Sequence, residues 1–387
     1  MKIGYVFGGR FDPVALGGNA TDIREDLDGM GELGHDVAFR SHEVGPQGIP
    51  EAVRAAKTRI PAPVWDTVRD AALLRRDGAW RRRLLRDESL RHSELAFEYW
   101  YPDSFGGHAL ASRLRIPHVL ENIDPITDDA RAGERGGTLN RLIRRYERER
   151  REAAAAIVVM SDPMKEYLVD SGLDPARLHV LPQGVNTRLF APPTPDRRAE
   201  VRADLQADGR FIVGFVGSMA TYQRVDVLVE AARRLRCIRS DLRVVLVGGT
   251  EGRARALGIT DEANVISNVP YEQIPDLIGA FDVAVLPDSN WYGSPVKVLE
   301  YGAVGVPIVA PDVGPVRDLI NAPAEGLLVP TGDPDALADA ISATVDDPAG
   351  AAARAARFRQ KVLDRFDRKE RTQRLLELCR RLVDEGC

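Results

Sequence analysis

Between residues 292 and 310 the chain reads Tyr292-Gly293-Ser294-Pro295-Val296-Lys297-Val298-Leu299-Glu300-Tyr301-Gly302-Ala303-Val304-Gly305-Val306-Pro307-Ile308-Val309-Ala310, a turn of small residues and proline that enters a helix and then an apolar strand. A helix start leaves its first amides without intrahelical acceptors, and the helix dipole favours an anion there. With Ser294 and Pro295 in the turn, the amides of Val296 and Lys297 are expected to stand unpaired, and Lys297 adds a full positive charge. Phosphate is the anion that suits this arrangement. Glu300 follows Lys297 by three residues, with Val298 and Leu299 between them. Residues at i and i+3 share a helix face, so the Glu300 carboxylate can accept hydrogen bonds from two ribose hydroxyls while the amides hold a diphosphate. Taken alone, the stretch also fits a helix N-terminus packed after a strand.

Short apolar runs alternating with helical segments must position these groups, and that alternation indicates parallel sheets flanked by helices. A first unit opens with the strand Lys2-Ile3-Gly4-Tyr5-Val6-Phe7, continues through Val37-Ala38-Phe39, Leu95-Ala96-Phe97, His118-Val119-Leu120 and Ala156-Ile157-Val158-Val159-Met160, and closes near Val180-Leu181-Pro182. After its first strand, Gly8-Gly9 and, further on, Gly17-Gly18 precede an amphipathic helix; glycines there permit close backbone approach to a ligand and leave amides free. A linker rich in proline, Gln183 to Pro195, follows. The second unit has strands at Phe211–Val216, Arg243–Val247, Val265-Ile266, Asp282–Leu286 and Val306–Ala310, with a helix from Val225 to Leu235. Gly217 and Ser218 end the first of these strands, at the edge where open parallel sheets bind ligands. Residues from about Pro348 to Val383 read as helix. The expected domains are 1–188, 189–364 and a tail, 365–387.

At 387 residues the chain is longer than one core usually supports. A net charge of -5 and a pI near 5.8 argue against nucleic acid as the main partner, which normally needs a basic face. Cys237, Cys379 and Cys387 lack metal-ligand spacing, which fits a reduced cytoplasm. No apolar run approaches membrane-spanning length, so a soluble protein is expected. Asp26-Leu27-Asp28 falls inside the first helix and reads as a solvated face, with no metal expected. The runs Arg81-Arg82-Arg83 and Arg144 to Arg151 alternate with acids and read as salt-laced helices in preference to a membrane-contacting surface. His35, ending the first helix, reads as structural. The first turn lacks the Gly-x-Gly-x-x-Gly spacing of a dinucleotide site.

The block from Ser294 to Glu300 resembles the signature of the retaining, family-4-type glycosyltransferases of the GT-B fold, and the likeness extends over nearly the whole chain. The linker is similar to the family's Pro-x-Gly-Val-Asp-x-x-x-Phe run, with Asn186 for Asp, and Leu33-Gly34-His35-Asp36-Val37 to the end of its first helix. The resemblance implies an α/β architecture of two Rossmann-like, doubly wound domains facing across a cleft, the second binding a UDP or GDP sugar. It implies no metal and no cofactor, the nucleotide sugar being a substrate, and a small-molecule, glycan or lipid acceptor. Gly17 and Gly18 match its loop beside the donor or acceptor, and Val269 falls in the segment whose backbone reads the base.

The chain also departs from the family pattern. Tyr292 stands where the first Glu of the family's pair is usual. In Gly217-Ser218-Met219-Ala220-Thr221-Tyr222-Gln223-Arg224, Ser218 and Gln223 replace the Arg and Lys that neutralise the leaving diphosphate. Arg224, in the next position, is then expected to supply a cation beside Lys297. Ile123 replaces a His found in many relatives near the reacting sugar, leaving Asn122 and Asp124 to contact sugar hydroxyls or, alternatively, to form an Asx turn before Pro125. These departures keep two alternatives beside ordinary transfer: a nucleotide-sugar-binding pseudo-transferase, and a GT-B epimerase.

Overall fold

Strand β1 (Lys2–Arg10) pairs in parallel with β2 (Asp36–His42) on one side and β3 (Leu95–Tyr99) on the other. The sheet continues through β4 (His118–Asn122), β5 (Ala156–Val159) and β6 (Leu178–Val180), giving the order β2-β1-β3-β4-β5-β6. The computed structural model describes residues 1–10, 19–42, 61–101, 104–125, 140–207, 209–237, 239–258 and 263–386. β3, β4 and β5 are buried along their whole length, as strands in the middle of a covered parallel sheet should be, although only β5 is wholly apolar: Glu98 of β3 and His118, Glu121 and Asn122 of β4 are buried with them. A second parallel sheet is built from β7 (Phe211–Val216), β8 (Leu242–Val247), β9 (Ala263–Ile266), β10 (Val283–Val285), β11 (Ile308–Pro311) and β12 (Leu327–Val329), ordered β12-β11-β10-β7-β8-β9. Its order reverses between β7 and β10. At such a switch point the loops on either side diverge and leave a crevice at the carboxyl ends of the strands.

Contacts group the chain into one unit of Met1–Met160, Met164–Leu181 and Thr372–Cys387, and another of Ser161–Pro163 and Pro182–Arg371. Residues 182–188, assigned from sequence to the first domain, thus fall in the second. Val185 is buried in the second core and exchanges backbone hydrogen bonds with the segment around Asp367: its N–H donates to Phe366 O at 2.9 Å, and Arg368 N–H donates to its carbonyl at 2.9 Å. The same exchange interrupts the expected C-terminal helix, which forms as two, Pro348–Arg365 and Arg368–Asp384. From the latter, Leu375, Leu376 and Cys379 enter the first unit's core with Tyr5, Phe97 and Met30. β12, Leu327–Val329, was not expected.

Two surface expectations in the first unit fail. Asp26 is 1% exposed and accepts a hydrogen bond from Tyr5 Oη at 3.2 Å, so only Asp28 of that pair faces water. The arginine run ending at Arg151 is likewise half interior. Arg145 pairs with Glu149 at the surface, but Arg150 is fully buried: it pairs with Glu147 and, at 3.5 Å, Glu98, donates to the Ser104 carbonyl, and lies over the Phe105 ring at 5.2 Å. A salt-laced pattern and a buried ion network have the same letters; helix rotation separates them.

Candidate functional site

Helix Val296–Val304 connects β10 to β11, so its N-terminus lies at the carboxyl edge of the second sheet. Its start is Pro295, with no side-chain cap. Val296 N–H donates to Ser294 O at 2.9 Å, which corrects the expectation of two unpaired amides; the Lys297 N–H has no backbone acceptor among the described residues. Ser294 Oγ accepts from Gln183 N–H at 3.2 Å, tying the turn to the segment before Val185. One turn further along the helix, Tyr301 Oη accepts from Val216 N–H, the last residue of β7, at 2.9 Å. That bond holds the helix against the end of β7. Val298, on the buried side, is part of the core.

Lys297 is half-buried, and its ammonium has no hydrogen bond or ion pair to another described residue. Burial pulls it below the usual lysine range, with the charge of Glu300 partly opposing. The turn after β7 meets it: a methyl group built on Gly217 would lie 3.0 Å from Lys297 Cε and 3.2 Å from Gln223 Nε2. A side chain at this point would press on the Phe215 ring, the Lys297 stem and the Gln223 amide, a crowding that glycine avoids. Gly217 is held by its N–H donating to Val247 O at 2.8 Å, while Ser218 is exposed. Gln223 is buried and accepts from Ala220 N–H through Oε1 at 3.0 Å, so the residue in the family's Lys position shapes the turn and turns its Nε2 donor toward Gly217.

Arg224 follows with a left-handed backbone, φ 45°, and its guanidinium is tied to Asp226 at 2.9 Å. It is exposed, and the pairing raises its basicity further. Asp288, just past β10, is pushed above the usual carboxylate range by burial, with Arg224 opposing. Glu300 is 8% exposed and accepts from Tyr271 Oη at 3.3 Å. Tyr271, absent from the expected site, begins the turn after Val269-Pro270 and sets its ring 5.5 Å from that of Phe190. The spacing of the motifs gives no signal for it. Val269 is partly buried against the core. Tyr292, in the place of the first acid, is buried with its ring against Trp291, and its loop is closed by Gly293 N–H donating to Asn290 Oδ1 at 2.8 Å.

In the first unit, Asn122 is fully buried and accepts from Arg151 Nε at 3.1 Å, while its Nδ2 donates to Asp124 O at 3.3 Å. Its side chain is therefore engaged in holding the end of β4, and the contact with Asp124 is not an Asx turn, because the amide nitrogen donates to a carbonyl while the side-chain oxygen is taken by Arg151. Asp124 is half-buried. Gly8 and Gly9 belong to β1 itself, where added side chains would strike Ser104 Oγ and the Phe7 ring, so packing within the unit requires them. Gly17 and Gly18 lie outside the described residues, as does Cys387. Among the described residues no cluster of His, Cys, Asp or Glu has the geometry of a metal site, and no helix is long and apolar enough to cross a membrane.

The chain is similar in sequence and fold to known proteins. Residues 16–189 match Glycosyltransferase Family 4, and residues 196–382 match the glycosyl transferases group 1 family. The D-inositol 3-phosphate glycosyltransferase of Kineococcus radiotolerans is 29% identical over 323 residues, covering 76% of this chain and 73% of that enzyme. In fold, the chain matches the sucrose-phosphate synthase of Thermosynechococcus elongatus with a TM-score of 0.76 at 20% identity, over the full length of both chains. It also matches HepE of Anabaena, solved in complex with UDP, with a TM-score of 0.73 at 16% identity over 98% of this chain and 99% of that one. With one family matched by each half and the fold shared end to end, the chain belongs to the family-4-type glycosyltransferases of the GT-B fold.

Proposed function

We propose that the protein is a retaining glycosyltransferase that moves a sugar from a UDP or GDP sugar to a hydroxyl of a small molecule or glycan, without metal or cofactor. One observation carries the reading: the half-buried ammonium of Lys297 stands at a helix start beside Gly217, without a carboxylate partner among the described residues, and one turn ahead of Glu300. A cation kept from pairing inside a protein is costly unless a ligand anion completes it. In this reading Lys297 and its amide neutralise the diphosphate, Glu300 accepts from the ribose, and the backbone at Val269 borders the base. The bond from the sugar's anomeric carbon to the phosphate oxygen breaks. The acceptor oxygen bonds to the same face of that carbon, and its proton passes to the leaving phosphate. The protein contributes position and fixed charge.

The UDP bound by the Anabaena neighbour makes UDP the first nucleotide to try, and the Kineococcus enzyme's name makes a phosphorylated polyol the first acceptor. Thermal unfolding with UDP and GDP in EDTA tests binding, and NMR of the product's anomeric configuration tests the mechanism. We expect one nucleotide to raise the unfolding temperature in EDTA and the product to keep the donor's configuration. Nucleotide affinity that EDTA abolishes, or an inverted product, overturns the proposal. A second reading, binding without ordinary transfer, is favoured by the neutral, buried Gln223 and by the pairing of Arg224 with Asp226, which leave fewer cations for the leaving group. Binding without turnover would establish it. A donor altered without any acceptor would indicate epimerisation.

A further inference from the structure

We propose that Tyr271 is a positioning residue for Glu300, fixing the carboxylate so that it reads the ribose of the bound nucleotide; this rests on the nucleotide-sugar reading above. A carboxylate has two oxygens and about four lone-pair directions. Tyr271 Oη donates to one oxygen, Oε1, at 3.3 Å. That contact sets the rotation of the carboxylate plane and keeps lone pairs directed to two neighbouring hydroxyls. The tyrosine is itself held: its ring meets Phe190, which is fully buried, edge to face at 5.5 Å. Its backbone begins the turn directly after Val269-Pro270, so one short loop borders the base position and orients the ribose reader. A glutamate on a helix with three free torsions gains selectivity for a diol only when something restrains it, and the phenol supplies that restraint.

The test is calorimetric, with UDP and 2′,3′-dideoxy-UDP titrated into the wild type, Tyr271→Phe and Glu300→Gln. Tyr271→Phe keeps the ring on Phe190, and its unfolding temperature reports that the fold is intact. We expect it to weaken UDP binding about five-fold, the worth of one hydrogen bond, and to leave dideoxy-UDP binding unchanged, so that the ratio of the two affinities falls. Glu300→Gln should bring that ratio close to one. A ratio unchanged in Tyr271→Phe but collapsed in Glu300→Gln overturns the role of Tyr271 alone. A wild type that binds neither nucleotide, or binds both equally, overturns the nucleotide-sugar reading beneath it. General loosening of the loop would weaken both ligands alike and leave the ratio untouched, which also refutes the positioning role.

Discussion

Two cations, one in each unit, are withdrawn from water, Arg150 fully and Lys297 in part, and they are treated in opposite ways. Arg150 in the first unit is surrounded by Glu98, Glu147, the Ser104 carbonyl and the Trp100 and Phe105 rings, with only its Nε lacking an acceptor among the described residues. Lys297 in the second unit has its own helix amide and a glycine turn beside it but no carboxylate in ion-pair range among those residues. Removing a charge from water costs several kcal/mol unless the protein compensates it. Where compensation is built in, the cation is part of the structure. Where it is withheld, an anion from solution can supply it, which is the role proposed above for the nucleotide diphosphate.

The largest effect that follows is on stability. Arg150→Ala leaves Glu98 and Glu147 buried without their cation, and losing one member of a buried network typically costs about 3–5 kcal/mol. Urea unfolding of the variant should show a loss of that size. A loss under about 1 kcal/mol, the range of surface pairs, would mean that Arg150 is no more structural than Lys297, and the contrast would collapse.

Lys297→Ala should reverse the pattern. A charge-assisted contact to phosphate contributes about 1.5–3 kcal/mol, so UDP affinity should fall roughly ten- to a hundred-fold, with folding stability unchanged or slightly improved. The pH dependence has a definite sign. Because burial lowers the Lys297 pKa in the folded state, the unfolded chain binds more protons between the folded and unfolded values, and stability from this group rises with pH there. Nucleotide affinity should do the opposite, declining as pH rises through the depressed pKa because the ammonium is lost. Calorimetry from neutral to alkaline pH should show this decline in the wild type and not in Lys297→Ala. A matching decline in both would assign it to some other group.

Much of this arrangement was legible in the residues because it is local. Ser294 to Glu300 lie on one turn and one helix, so spacing alone put Lys297 and Glu300 on a shared face, and the alternation of short apolar runs with helices pointed to two parallel sheets. What was not legible depends on contacts distant in the chain. Whether Arg150 faces water is decided by Glu98, 52 residues away; that Asp26 meets Tyr5 depends on how the first helix lies on β1. Tyr271 touches Glu300 across 29 residues. The interruption at Phe366–Asp367 is caused by pairing with Val185, which helical periodicity does not encode.

The smallest expected effect concerns Arg224, which sequence reasoning put beside Lys297 at the phosphate. The structure ties its guanidinium to Asp226, yet both partners are exposed, and an exposed pair contributes about 0–1 kcal/mol. A diphosphate with a stronger charge-assisted bond displaces such a partner at little cost. Arg224→Ala should then weaken UDP binding about five-fold, less than Lys297→Ala, because the gain at phosphate is offset by the pair that is given up. Asp226→Asn is the sharper experiment: it releases the guanidinium, so if Arg224 reaches the ligand the variant should bind UDP a few-fold more tightly. Neither variant changing UDP affinity would leave Arg224 as a surface residue closing the turn onto helix Val225–Arg236. Phosphate neutralisation would then fall to Lys297 and its amide, and binding without ordinary transfer would become the stronger reading.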